Sequence, residues 1–380
     1  MEKLGLEQQR RKSLFQVLDY WLLIPVFALC IEGLYVLNMV LELQYPGQYP
    51  RNILTQAISI LLGLIALAVL SLLEQSFIYP VGIFLYGLSL LMQALLPVFG
   101  SAELAAKTGS NAWLILPGIG SFQPSELSKI GLCMAMAYVL ERMKTKKYSL
   151  KRGVLYLLLL LLPQLGLILV YEDDLGTGMV VVFMAAVMIF IWGIKLRYVF
   201  LIISAGVISV PLLWNFALKS YQQTRILSFL YPNYDTDATY NVTQAKLAIA
   251  AGGLSGNRSG DYVHVPVQES DFIFSAVGEY MGLVGTSLLI LLAAVFLIRA
   301  FYLASKMQRP AYKYMAAGIA AVFAFHYVEN ICMNLGLMPV TGIPLPFVSQ
   351  GGTAMLVNFL SLGILMNLSV NRNLELTMER

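Results

Sequence analysis

Apolar residues fall along this chain in long unbroken blocks, with polar residues gathered between the blocks rather than alternating within them. A helix needs about 20 apolar residues to cross the hydrocarbon core of a bilayer, and about ten blocks reach that length. They lie near 17–41, 53–73, 77–99, 124–141, 153–171, 175–193, 197–217, 272–300, 311–335 and 352–370. The pattern predicts an all-α polytopic membrane protein of about ten transmembrane helices, forming a single membrane domain over residues 1–380. Its longest polar interval, residues 218–270, separates the seventh helix from the eighth.

Composition points the same way: 58% of the residues are hydrophobic and only 12% charged, against about 25% charged in soluble domains. Most of the 25 Lys and Arg fall into alternate loops. These are the N-terminal Lys3, Arg10, Arg11 and Lys12, the 142–152 loop, Lys195 with Arg197, the run Arg299 to Lys313, and the C-terminal Arg372 and Arg380. By the positive-inside rule those segments and both termini are cytoplasmic. The 100–123, 218–270 and 339–352 loops then face outward. The N-terminal segment lacks a small-residue cleavage site, so no cleavable signal peptide is expected. The net charge of +4 fits basic flanks beside anionic lipid and gives no reason to expect nucleic acid. Cys30, Cys133 and Cys332 each fall in a separate span, and His264 and His326 lack zinc-site spacing, so neither disulfide nor zinc site is expected.

Candidate chemistry gathers at the outer edge. Asp271 stands where the long polar interval re-enters an apolar block, and a carboxylate at that boundary is a functional candidate by default. Upstream, Gly109 leads to Trp113, an interfacial anchor, and through Pro117-Gly118 to Gln123-Pro124-Ser125-Glu126 and Lys129. Glu126 and Lys129, three apart, share a helix face, either as a capped helix with an ion pair or as the lining of a polar cleft. Glu172, Asp173 and Asp174 precede Gly176 and Gly178. Asp174 is placed to cap the next helix, and a divalent cation among the three acids is the alternative. No other cofactor is expected.

The 218–270 loop contains Arg225 to Pro232, mixed apolar and basic, and a stretch with Val242, Ala245 and Ile249 at helical spacing beside Lys246. The spacing predicts an interfacial amphipathic helix ended by Gly252-Gly253. The glycine-rich turn from Gly252 to Gly260, carrying Arg258, is either a phosphate cradle or simple turn chemistry. The last outer loop runs Met338-Pro339 through Thr341-Gly342, Pro344, Pro346, Ser349-Gln350-Gly351 to Gly352. Non-helical backbone at that depth persists only when buried or lining a cavity, so the loop is expected to shape a pocket.

Taken in order, these strings resemble the SEDS family of RodA, FtsW and SpoVE over nearly the whole chain. They are Gln123-Pro124-Ser125-Glu126 with Lys129, Asp174-Leu175-Gly176-Thr177, Arg225 to Pro232, Gly252-Gly253-Leu254 with Gly256, Asp271-Phe272-Ile273-Phe274 with Glu279, and Thr341-Gly342-Ile343-Pro344 to Gly352. The element around Trp113 is more similar to RodA. The resemblance implies a peptidoglycan polymerase of the bacterial cytoplasmic membrane. Such an enzyme transfers the lipid II disaccharide on the outer face by an inverting displacement, with undecaprenyl diphosphate leaving. It implies a class B penicillin-binding protein as partner. Asp271 matches the family's essential aspartate and is assigned as general base. Glu269, the second catalytic candidate, stands beside it in a run, Pro266-Val267-Gln268-Glu269-Ser270, that departs from the family's usual Pro-Glu-x-His-Thr, so either Glu269 replaces the missing acid or the site is altered. Lys129, Arg225, Lys246 and Arg258 are the outward cations available to the leaving diphosphate. Trp113, Glu126, Asp174, Pro344, Ser349 and Gly351 complete the expected substrate-binding set. A lipid II flippase, which would place charge at mid-span on Glu32, Glu279, His326 or Glu329, and a non-catalytic scaffold are the alternatives.

Overall fold

The computed structural model describes residues 18–44, 49–108, 110–116, 120–216, 218–231 and 233–378. Lys3, Arg10, Arg11, Lys12, Gly109, Pro117, Gly118, Pro232 and Arg380 lie outside the described residues. Ten long helices dominate. They are α1 (Tyr20–Gln44), α2 (Tyr49–Leu72), α3 (Gln75–Ala94), α6 (Pro124–Lys144), α7 (Leu150–Gly166), α8 (Leu175–Trp192), α9 (Leu196–Phe216), α12 (Ile273–Lys306), α13 (Pro310–Asn334) and α14 (Gly352–Met378). Helix α7 continues as a π-helical turn over Leu167–Glu172. Shorter elements are α4 (Leu96–Phe99), α5 (Ala102–Thr108), α10 (Ser220–Leu230) and α11 (Thr236–Ala251). One two-stranded antiparallel hairpin, β1 (Leu114–Leu116) with β2 (Gly120–Phe122), interrupts the all-α pattern. Strands this short carry no periodicity to read.

Among the described residues nine helices are long and apolar enough to cross a membrane. The tenth long helix, α6, carries Glu126, Lys129, Glu141, Arg142 and Lys144 and is buried on nearly every face. Enclosure by α3, α7, α8, α13 and α14 removes the need for an apolar outer surface. Helices α6, α13 and α14 form the centre, and α9 lies exposed along its length. Small residues make the centre possible: α13 buries Ala316, Ala317, Gly318, Ala320 and Ala321, letting helix backbones approach closely. At one end Arg299 of α12 grips the buried Asp19 with Nε 2.9 Å from both carboxylate oxygens, and Ser369 of α14 donates to the same group at 3.0 Å. The start of α1 and the end of α12 are thereby locked to α14.

Helix α12 is broken at Gly282, whose φ of 64° and ψ of −156° suit only glycine. The break frees two amides, and the glycine-rich turn supplies their acceptors: Leu283 N donates to Gly253 O at 2.9 Å and Val284 N to Leu254 O at 3.1 Å. A Cβ on Gly282 would stand 2.6 Å from Ser255 N and Gly256 N. The stretch from Gly252 to Gly256 therefore serves helix packing. Helix α11, expected around Val242, Ala245 and Ile249 and ended by Gly252-Gly253, spans Thr236–Ala251, and its buried Ala245 and Ala248 pack on Val265 and Phe272. Gly282→Ala is expected to destabilise the protein by about 1–3 kcal/mol from backbone strain alone, lowering the apparent Tm in detergent. Gly206→Ala, at a helix position with open space, should leave Tm unchanged.

Candidate functional site

Asp271 ends a tight turn that leads into α12. Val267, with a φ of 57°, starts the turn and its carbonyl accepts from Ser270 N and Phe272 N, both at 3.3 Å. Two side chains of α13 then fix the aspartate's main chain. Asn330 Nδ2 donates to Asp271 O at 2.8 Å and to Ile343 O at 2.8 Å, while Asn334 Nδ2 donates to Asp271 O at 3.2 Å. Asn334 Oδ1 also accepts from Ser275 N at 3.1 Å, capping the first turn of α12. The carboxylate itself accepts from Ser270 Oγ at 3.1 Å.

The proline-rich loop closes over this turn. Ser349 Oγ donates to Ser270 O at 2.6 Å and accepts from Leu345 N at 2.8 Å, and Gln350 N donates to Glu269 O at 2.9 Å. From α2, Gln56 clamps the loop at both sides: its Nε2 donates to Ser349 O at 3.0 Å and its Oε1 accepts from Gly351 N at 3.2 Å. Gly342, with a φ of 78°, brings backbone beside the aspartate, so a Cβ there would stand 3.4 Å from Asp271 Oδ2. Ser349 and Gly351 are thus struts of the pocket wall. Pro344 O lies 3.4 Å from His326 Nδ1 within the same wall.

Three charged side chains act on the Asp271 carboxylate, which in turn acts on a fourth group, Glu329. Glu269 precedes it in the turn, Asp174 caps α8, Arg225 extends from α10, and Glu329 rises on α13. Asp174 accepts from Thr177 N at 2.9 Å, from Thr177 Oγ1 at 2.8 Å and from Gln123 Nε2 at 3.1 Å. Arg225 lies over the Tyr221 ring at 5.5 Å, with Nη1 3.5 Å from Val340 O. Glu329 accepts from the Thr341 hydroxyl. Part of Asp271 meets solvent, yet the protein packed around it strips water from the carboxylate. Desolvation, reinforced by the Glu269 and Asp174 charges, pushes its pKa from 3.8 up to about 7, against the Ser270 hydrogen bond and Arg225. A carboxyl tuned to neutrality is ionised often enough to accept a proton and basic enough to hold it.

Other expected site residues stand elsewhere. Lys129 is not outward: it is 3% exposed and bonded to Glu126 at 2.7 Å and to His326 Nε2 at 3.1 Å, between α6 and α13. Its charge is spent inside the bundle, because an ammonium so far from water needs a carboxylate beside it. Glu126, 4% exposed, is that partner, and with Lys129 and His326 it lines a small cavity between α6, α13 and α14. Arg258 lies on the exposed turn that packs at Gly282, more than two helical turns along α12 from Asp271, and donates to Ser255 at 3.0 Å. Lys246 is exposed on α11 beside Gly336. Trp113 is half-buried at the entry to the hairpin, where its carbonyl accepts from Ser101 N at 2.9 Å. Neither it nor these two cations is among the groups around Asp271.

The three neighbouring acids diverge. Asp173 takes Lys219 at 2.7 Å, Asp174 caps α8, and Glu172 turns fully into the interior. Among the described residues no three His, Cys, Asp or Glu are grouped to hold a metal. Sequence reasoning missed Asn330, Asn334 and Gln56. The signal for the first two was present as an amide pair at i and i+4, beside His326 and Glu329 in a mostly apolar span.

Residues 14–374 match the FtsW/RodA/SpoVE family model, described as cell cycle protein. A probable peptidoglycan glycosyltransferase FtsW of Geobacter sulfurreducens is 34% identical over 297 residues, 77% of each chain. The peptidoglycan glycosyltransferase MrdB of Escherichia coli K12 is 31% identical over 297 residues, 77% of this chain and 78% of that one. Among solved structures, a chain from work on the structural coordination of polymerization and crosslinking by a peptidoglycan synthase complex superposes with a TM-score of 0.79. It is 31% identical and the match covers 93% of this chain and 98% of that one.

Because Glu126 and Lys129 neutralise each other in the interior, Glu126→Gln should cost about 3–5 kcal/mol by leaving an uncompensated ammonium. Replacing both partners, as Glu126→Gln with Lys129→Met, should recover most of that loss in a thermal melt. A double variant as unstable as the single one would show that pairing is not what Lys129 requires.

Proposed function

This chain belongs to the FtsW/RodA/SpoVE family, and we infer that it is a peptidoglycan glycosyltransferase with Asp271 as its general base. The observation that carries the assignment is the geometry of Asp271, a carboxylate packed by protein beside two other acids and with its backbone clamped by Asn330 and Asn334, at one end of a multi-pass membrane bundle; burial and those acids push its pKa up. Glycan extension requires a sugar hydroxyl to attack an anomeric carbon that bears a lipid diphosphate. That hydroxyl is a weak nucleophile until a base within hydrogen-bond reach accepts its proton. Asp271 accepts the proton as the new glycosidic bond forms, and the diphosphate leaves with the electron pair of the broken C–O bond. Arg225 is the cation the structure sets beside Asp271, and it opposes the charge that grows on the leaving group.

The distribution of basic loops supports an Asp271 end that faces outward from the bacterial cytoplasmic membrane. The substrate there is lipid II, drawn from the bilayer. The likeness to a chain of a synthase complex that couples polymerization to crosslinking supports a penicillin-binding transpeptidase as partner. Of the four mid-span groups that transport of the lipid would use, Glu32 is buried with neither carboxylate oxygen hydrogen-bonded, and the other three are tied into the protein. Glu279 accepts from the Val263 amide at 2.6 Å, His326 contacts Lys129, and Glu329 holds Thr341, so each serves the fold.

Asp271→Asn should reduce glycan synthesis from lipid II by about 10²-fold or more, while thermal stability is kept or raised by relief of the repulsion with Glu269 and Asp174. Normal polymerisation by that variant would overturn the assignment. In the wild type the rate should fall about tenfold per pH unit below the Asp271 pKa of about 7 and level off above it, because the protonated acid is no base. Glu269→Gln removes a negative neighbour, lowers the Asp271 pKa, and should move the acid limb of that profile to lower pH. An unmoved limb would show that Glu269 does not act on the base.

A further inference from the structure

Cations and tyrosines pair at one end of this bundle. Of the nine cation–π pairs among the described residues, eight lie at the end opposite Asp271, with Arg225 over Tyr221 as the exception. Some of these cations are satisfied within the protein: Arg309 bonds Glu141 at 3.0 Å and Arg299 bonds Asp19. Others are not. The turn between α6 and α7 carries Arg142, Lys144, Lys146, Lys147, Lys151 and Arg152 with no acid among them, and none forms an ion pair among the described residues.

Arg152 is held in a built setting. Its guanidinium lies 5.1 Å from the Tyr148 ring and 5.4 Å from the Tyr156 ring, and its Nε donates to Tyr156 OH at 3.0 Å. The two rings pack edge to face at 5.1 Å, and Arg142 lies 4.8 Å over Tyr138. An aromatic face covers one side of a guanidinium and leaves the N–H edge open, and that edge matches two oxygens of a phosphate. Immobilising the side chain beforehand removes rotamer entropy that would otherwise oppose binding.

We propose that the 142–152 turn is a docking surface for anionic phospholipid headgroups, with Arg142 and Arg152 gripping phosphodiesters and Lys144, Lys146, Lys147 and Lys151 adding long-range attraction. The location suits a lipid: the turn joins α6, enclosed in the bundle, to the membrane-spanning α7, so its side chains stand at the membrane end of that helix, where headgroups lie. Leu150, Val154 and Leu155 are exposed beside Arg152 and offer apolar surface to an acyl chain. Anchoring here fixes the depth and tilt of α6 and α7 at the end of the bundle remote from Asp271. The surface is independent of the chemistry assigned above.

The test is native mass spectrometry of the purified full-length chain in detergent, titrated with phosphatidylglycerol or with zwitterionic phosphatidylcholine. The wild type should retain phosphatidylglycerol at least about tenfold better than phosphatidylcholine, as expected for charge-assisted, bidentate contacts. The variant R142Q/R152Q should lose that preference while its Tm shows that it remains folded. R152K, which keeps the charge but not the planar fork, should weaken retention severalfold. Equal retention of phosphatidylglycerol by R142Q/R152Q and wild type would overturn the proposal. So would R152K indistinguishable from wild type, since charge alone would then suffice. Displacement of the lipid by equimolar glycerol 3-phosphate would reassign the site to free phosphate and contradict the lipid assignment.

Discussion

A carboxylate can be kept near neutral pKa only if protein rather than water surrounds it and only if its backbone cannot move away, and that pair of demands organises the Asp271 end of the molecule. Two amides of α13 hold the Asp271 carbonyl, Ser349 and Gln56 lace the neighbouring loop over the turn, and Gly342 lets backbone approach the carboxylate closely. Each tie satisfies a polar group that water would otherwise claim. Loosening any one would hydrate Asp271 and return it toward an ordinary, weakly basic carboxylate.

The same constraint explains how charge is distributed elsewhere. Among the described residues, several charged groups withdrawn from water answer to a near neighbour, Lys129 to Glu126, Arg299 to Asp19, and Asp174 to the amide end of α8, whereas the buried Glu32 carboxyl has no hydrogen-bond partner. At the two ends, where water and headgroups are available, charge is left open. One end gathers carboxylates around a single arginine, which favours proton acceptance. The other gathers cations on tyrosine faces, which favours a membrane surface. Two opposite electrostatic characters on one bundle give it a fixed sense in the bilayer.

How much of this was legible in the sequence follows from range. The long helices were, because unbroken apolar blocks report burial in lipid directly, and α6 was recognisable despite its charges from Pro124 and Glu126 at its start. Asp271 was legible as a carboxylate at an apolar boundary, and Asp174 as a cap. The break at Gly282 was not: its cause is the glycine-rich turn docking from some thirty residues earlier, roughly the separation at which local pattern says nothing. Lys129 was misread as outward because one face of a helix can point to water or to another helix, and only the position of α13 decides. Asn330 and Asn334 were visible as polar residues in a mostly apolar span, but their target, a main-chain carbonyl about sixty residues away, was not.

The central claim is that the fold makes a neutral-pH base of Asp271. Infrared difference spectroscopy reads it directly: the carboxyl band of the wild type minus that of Asp271→Asn, followed through a pH titration. The account predicts a band that disappears with a midpoint near pH 7. A midpoint near 3.8, the value of an unperturbed aspartate, would contradict it.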